Sequence, residues 1–302
     1  MLHRLRLDMR RNRIAYLFAV PAVVLLIIFS YIPMYDIVIA FKDYKPTLGV
    51  FGSPWVGLQH FRDFFGSIFA GQTIRNTLLI SAYSFVFGFP LPILLALMLN
   101  EVRFPKYKRV VQTVSYMPYF ISTVVVCGIL KEFLAYNGLV STLVNNLFGA
   151  AKQNYLSNAR YFRTIIIASD IWQSVGWNSI IYLAALSSID LELYDSAKID
   201  GAGRFRQIVH VTLPGILPTV IVLMILTVGS ILAVETDKIL LLYTPLTYET
   251  GDVIGTFIYR RGIKNAQHSY STAIGLMNTL VNLLLLFLVN MFSKKTTGES
   301  LW

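Results

Sequence analysis

The chain is poor in charge. Asp, Glu, Lys and Arg make up 14% of its 302 residues, where an ordinary soluble domain carries about 25%. Cysteine is all but missing. Cys127 stands alone, which excludes an internal disulfide framework and any thiolate-cluster metal site. Lying in an apolar stretch, it reads as a small core residue. The four histidines, His3, His60, His210 and His268, lie in four separate places, and His-Glu-x-x-His is absent, so no metal site is expected. No Gly-x-x-x-x-Gly-Lys-Ser/Thr loop occurs, which rules out ATP hydrolysis by that route. No paired catalytic constellation, internal repeat or low-complexity tract is visible, so the chain is not expected to be an enzyme.

What is present is apolar surface. Hydrophobic residues make up 55% of the chain and the mean hydropathy is +0.60. A water-soluble globule of this size cannot hide that much, so a lipid bilayer is the expected solvent. The net charge of +10 does not point to nucleic acid. The basic residues gather in short segments between long apolar runs, as membrane topology signals do. No basic-aromatic nucleic-acid module accompanies them.

A helical span needs about 20 mostly apolar residues. Six are expected, over residues 14–41, 74–99, 110–134, 164–188, 216–242 and 273–292. The first follows Arg4, Arg6, Arg10, Arg11 and Arg13 but has no small-residue cleavage site, so it reads as an uncleaved span rather than a signal peptide. An even count puts both termini on one side. Arg103, Lys106, Lys108 and Arg109, then Lys198, Arg204 and Arg206, then Lys294 and Lys295 fall on that same side. The density of positive charge marks it as cytoplasmic. The expected division is a basic tail over 1–13, a transmembrane domain over 14–292 and a C-terminal tail over 293–302. Between them run long outer connections. In the first, Leu58, Phe61, Phe64 and Phe65 suit a short amphipathic helix at the interface. The connection over 136–161 reads as another such helix plus a loop, and 243–271 as a polar loop.

The informative segment is 190–214, on the cytoplasmic side between the fourth and fifth spans. Asp190 is placed to cap a short helix, with Glu192 in its first turn. Gly201 supplies the positive φ of a sharp reversal. A second helix then sets Ala202, Phe205, Ile208 and Val209 on one face and Arg204, Arg206 and Gln207 on the other. Pro214 marks the turn into the fifth span. Ser196, Ala197 and Gly201 are small enough for another protein to approach the backbone. Composition alone leaves a second reading open, an amphipathic loop helix resting on lipid headgroups.

The spacing resembles the coupling-helix signature of binding-protein-dependent ABC permeases: Glu-Ala-Ala, three residues, Gly, nine residues, an aliphatic, one residue, Leu-Pro. Here Asp195-Ser196-Ala197, Gly201, Val211, Leu213 and Pro214 fill those places, seven positions within twenty residues. Asp195 stands for the usual Glu and Ser196 for the first Ala, keeping charge and small size. Asp200-Gly201-Ala202 matches the sugar-permease branch, of maltose-transporter type. The segments 31–44 and 243–254 resemble its subgroup for complex oligosaccharides and polysaccharide fragments such as alginate or pectin pieces.

The resemblance covers about residues 14–292 and implies a type I ABC importer permease fold, an all-α membrane protein in a bacterial inner membrane. It implies that Asp195, Ser196, Ala197, Asp200, Gly201, Ala202, Phe205, Leu213 and Pro214 dock into a cytoplasmic ATPase. The implied partners are a second related permease, two ABC ATPase subunits that bind ATP and Mg, an extracytoplasmic sugar-binding protein and membrane lipid. No cofactor is expected in this chain. Its substrate pathway is expected near Asp170, Trp172, Gln173, Trp177 and Asn178 of the fourth span and Thr227 and Ser230 of the fifth, aromatic faces suiting sugar C–H surfaces and amides suiting hydroxyls. Asp170 reads more readily as a structural partner than as a lining residue, and the two hydroxyls as bonded to their own helix. Glu235 and Asp237 are expected near the outer end of the fifth span. The rival readings are an ABC permease for a non-sugar solute and a secondary transporter. The second needs an intramembrane charge relay, for which Asp170 alone is thin support.

Overall fold

A computed structural model describes residues 11–298, 300 and 301. Arg4, Arg6 and Arg10 of the basic tail and the last tail residue, Trp302, lie outside the described residues. Those described are helical, with no strand beyond a single antiparallel bridge between Lys42 and Trp55. The chain divides into two compact units. A smaller one comprises Met1–Ser67 with Ile258–Met277, and a larger one comprises Ile68–Phe257 with Asn278–Trp302.

In the smaller unit, α1 (Arg13–Phe41) is apolar over most of its length, with Asp36 an exception, and it buries only Ile39 and Ala40 near its end. Beyond it the chain folds back. Phe41 O accepts the Val56 amide at 2.9 Å, and the Phe41 and Trp55 rings stack at 5.7 Å. The amphipathic helix expected here forms as α2 (Gln59–Phe65), which buries Phe64 and leaves Phe65 exposed.

The larger unit is built around α8. Ahead of it come α3 (Ile68–Gly88), α4 (Pro90–Glu101), α5 (Pro105–Tyr116), α6 (Thr123–Leu134) and α7 (Leu139–Phe148). Helix α8 (Ala159–Ser187) is 29 residues long, roughly 43 Å at 1.5 Å per residue. It packs against α3, α4 and α5. It is followed by α9 (Leu191–Ile199), α10 (Arg204–Gly229), α11 (Thr236–Leu242) and, from Asn278 onward, the later part of α12 (His268–Thr297), whose start belongs to the smaller unit. The buried positions of α8 are Phe162, Ile166, Ile167, Ser169, Gly176, Ser179, Tyr182 and Leu186, most of them three or four residues apart or a multiple of that. That spacing makes a single stripe. Its small members let neighbouring backbones come close, which holds helices together where lipid removes the hydrophobic drive. Cys127 sits as expected in the apolar cluster, with Ile80, Phe162, Ile166 and Ile239.

The expected spans need four corrections. Five helical runs are long and apolar enough to cross a membrane: Arg13–Phe41, Ile68–Glu101, Thr123–Phe148, Arg204–Gly229 and His268–Thr297. Helix α8, the expected fourth span, is long enough, but Asp170, Gln173 and Asn178 lower its apolarity and it is not among the five, so apolar length alone does not confirm six. The third run is displaced and broken. Pro118 lies in a 3-10 turn, Met117–Phe120, that separates α5 from α6, and α7, expected as an outer interfacial helix, belongs to this apolar run. The fifth begins earlier than expected, because α10 passes straight through Pro214. A π-type turn at Ile208–Thr212 absorbs the amide that proline lacks. It also ends early, at Gly229, and helix resumes only at Thr236. Finally, the stretch after Tyr243 is not a plain polar loop but holds the short helices Tyr248–Gly251 and Ile254–Tyr259.

Candidate functional site

Two places in the larger unit gather the residues singled out in the sequence. The first is the elbow between α9 and α10. Asp190 caps α9 as expected, its Oδ1 accepting the Glu192 amide at 2.9 Å. At the other end Gly201 has φ +75°. The Ala202 amide donates to Ala197 O at 2.8 Å and the Gly201 amide to Lys198 O at 3.0 Å. This pair of bonds, six-to-one and five-to-two, is a Schellman cap, whose left-handed residue is best served by glycine. Gln207 Nε2 then donates to Ala202 O at 2.8 Å, and the hydroxyls of Tyr194 and buried Thr212 meet at 3.0 Å, tying α9 onto α10. Arg204 meets Glu101 of α4 at 3.2 Å, both exposed, so this pair adds little energy but shows which ends lie together.

The elbow turns apolar groups outward. Phe205 is 78% exposed and Ile199 88%. Leu191 and Leu193 are exposed beside them, as are Ser196, Asp200, Gly201 and Pro214. Leu213 is at the edge of exposure, and Ala197 and Ala202 are half-buried. Asp195 is exposed and pairs with Lys198 at 2.8 Å. The expected split of faces on the second helix is revised. Gln207 turns inward to cap the bend, while Phe205 and Val209 turn out.

The second place is a cavity of about 350 Å³ beside the middle of α8. Asp170, Asn178, Thr227 and Ser230 line it together with Ser81, Tyr182 and Glu235. Gln173 and Asp170 line an adjoining one with Tyr119, Ser122, Glu235 and Lys238. Gln173 Nε2 donates to Ile121 O at 2.9 Å, in the break before α6. Trp177 lies flat on Tyr119, centroids 4.6 Å apart and planes within 4°, with Phe120 edge-on at 5.5 Å. It remains 39% exposed, so the three rings form a platform beside the second cavity. Thr227 and Ser230 donate to carbonyls of their own helix, Leu223 O at 2.7 Å and Leu226 O at 3.2 Å, while still lining the first. Trp172 joins neither cavity and is half exposed.

The sequence reading overlooked Lys238. Its side chain is 1% exposed and its ammonium donates to Asp170 Oδ1, with Glu235 Oε2 at 3.7 Å. The signal was there: a lone carboxylate in one expected span and a lone ammonium among the apolar residues closing another. Separation by 68 positions concealed it. Glu235, expected at an outer span end, instead precedes α11 in the break after α10, and its side chain is 59% exposed.

At the end of this unit away from the elbow, a polar clamp holds the turn at Tyr248–Gly251. Asn76 Nδ2 donates to Glu249 O at 3.1 Å and Asp252 O at 3.0 Å. Arg163 bonds Asn76 Oδ1 at 2.7 Å and Thr250 O at 3.1 Å. Gln72 reaches Tyr248 O at 2.6 Å. Among the described residues no group of three or more His, Cys, Asp or Glu is placed to hold a metal ion.

The chain is similar to known proteins along most of its length. A family model described as a binding-protein-dependent transport system inner membrane component matches residues 88–298. Protein LplB of Bacillus subtilis (strain 168) is 41% identical, over 97% of this chain and 92% of its own. The polygalacturonan/rhamnogalacturonan transport system permease protein YteP of the same organism is 41% identical, over 99% and 93%. A chain of a bacterial ABC transporter involved in the import of the acidic polysaccharide alginate superposes with a TM-score of 0.90 at 41% identity, over 97% of this chain and 99% of that one. A second structure, of the bacterial alginate transporter in complex with an alginate pentasaccharide-bound periplasmic protein, gives 0.90 and 41% over 99% and 100%.

Proposed function

We propose a function from one settled premise: this chain belongs to the family of binding-protein-dependent transport system inner membrane components. It is a multi-pass inner-membrane permease subunit of an ABC importer for oligosaccharides or polysaccharide fragments, itself non-catalytic. The observation that carries this reading is likeness along nearly the whole chain, 41% identity, to proteins named for moving polygalacturonan and alginate.

The finer parts of the proposal are our reading, supported by the density of basic residues and the exposed elbow. Both termini and the elbow face the cytoplasm, with 1–13 and 293–302 as tails to a membrane domain over 14–292. Two ATPase subunits bind ATP and Mg, and one of them grips the exposed apolar face around Ile199 and Phe205. Charge at Asp195 and the flat backbone at Gly201 fix the register of that grip. Because the Schellman cap and the Gln207 and Tyr194 bonds lock α9 to α10, closure of the ATPases moves the elbow and α10 as one lever. Helix α10 ends at the cavity lined by Thr227 and Ser230, so the same motion reshapes the passage there. A second, related permease supplies the opposite wall. A sugar-loaded binding protein docks on the outer connections and delivers its cargo to that passage, with Asp170, Gln173, Trp177 and Asn178 along the wall.

Two measurements test this. Saccharides should stimulate ATP turnover by the importer reconstituted with its binding protein; a complete lack of response across neutral and acidic oligosaccharides would refute the sugar assignment. Gly201→Asp should cut co-purification with the ATPase about tenfold or more, since a side chain at that φ strains the bend and a charge meets the partner. Its membrane insertion should stay intact. Full ATPase capture and transport by this variant would refute the coupling role.

A further inference from the structure

The charges around the cavity do not match the acidic cargo named for the relatives. The first cavity is lined by two carboxylates, Asp170 and Glu235, and by no Lys or Arg. The adjoining one contains a single cation, Lys238, and that cation is spent. It is buried, bonded to Asp170 and within 3.7 Å of Glu235. What remains facing the cavity is one net negative charge, on the exposed Glu235. The rest of the polar wall is neutral, in Ser174, Asn178, Thr227 and Ser230. Ser81 also lines the cavity, but its hydroxyl oxygen is sealed from it and has no hydrogen-bond partner among the described residues, so it does not add to that wall.

We infer that the sugar ring held against this chain is uncharged. Glu235 accepts hydrogen bonds from vicinal ring hydroxyls, Asn178 completes them, and the Trp177–Tyr119 platform lies beside the adjoining cavity. A uronate ring there sets carboxylate against carboxylate in a partly desolvated cleft, which rejects it. This rests on the saccharide-permease reading and narrows it to neutral oligosaccharides, or to mixed chains that present a neutral ring at this subunit.

The purified permease–ATPase assembly in lipid nanodiscs, without binding protein, is titrated with size-matched neutral and fully uronate tetrasaccharides. In wild type the neutral probe is expected to bind about tenfold tighter or more, and Glu235→Gln to close that gap about fivefold or more by admitting the uronate. Equal or tighter uronate binding in wild type overturns the inference, and so does a gap that Glu235→Gln leaves unchanged. ATP turnover with the binding protein, measured on the same probes, separates the two readings. If saccharides stimulate turnover but none binds the assembly, the subsite falls and the import function stands. If no saccharide does either, both fall.

Discussion

Replacing Lys238 by Met is expected to lower the melting temperature of the purified importer by on the order of 10 °C, and adding Asp170→Asn to restore most of it. The reason is asymmetry. A buried ion pair contributes little net stability, because desolvating two charges cancels most of their attraction. Removing one partner, however, strands the other and costs about 3–5 kcal/mol. Asp170 lies on α8 and Lys238 on α11, so the stranded charge also loosens the joint between these elements. The two single variants should differ. Lys238 is 1% exposed and Asp170 20%. Met at 238 therefore leaves a carboxylate that the cavity can hydrate. Asp170→Asn alone leaves a sealed ammonium whose remaining charged partner is Glu235 at 3.7 Å, and it should be the worse of the two. Thermal unfolding followed by size-exclusion chromatography ranks all four proteins. A double variant as unstable as the poorer single would show that the pair has no such linkage.

Gly176→Val is expected to abolish assembly, and Gly176→Ala to cost roughly 1–3 kcal/mol as overpacking. A Cβ at this position falls inside the carbonyl of Ser115 on α5, with Tyr116 N 2.9 Å away. The obstacle is backbone, so no rotamer change relieves it and α5 and α8 must part. Ser179, one turn along the same stripe, donates to Gly176 O at 2.6 Å and would move with it. Gly128→Ala is the control. It lies inside α6, and a Cβ there meets nothing within 4 Å, so helix propensity favours the alanine by up to about 1 kcal/mol. Yield and melting temperature of the two Ala variants should therefore move in opposite directions. A Gly176→Ala importer as stable as wild type would mean that α5 and α8 are not in close contact.

The elbow could be read from the sequence because its signals are local. Asp190 caps within two residues, Gly201 closes a bend within four, and neither needs to know what else the chain does. The helix breaks were harder. A run of apolar residues looks the same whether the backbone is continuous or interrupted, so the gap between Gly229 and Thr236 disappeared into an expected span over 216–242. Pro214 misled in the opposite sense, since a π-type turn lets the helix keep a proline that reads as a stop. Helix α8 was found despite its polarity, because its apolar stripe survives between the polar positions. The cavity was half legible. Asp170, Asn178, Thr227 and Ser230 do converge, but Trp172 projects elsewhere on the same helix. Lys238 required the pairing of distant segments, which a single sequence does not display.

Helix α1 carries a final consequence. It is 29 residues long and largely apolar, and among the described residues of its own unit it buries only Ile39 and Ala40, in its last turns. In a bilayer most of its flank therefore meets acyl chains or another helix, and escape from water does not choose between them. A helix that settles against it is kept there by close fit and polar bonds.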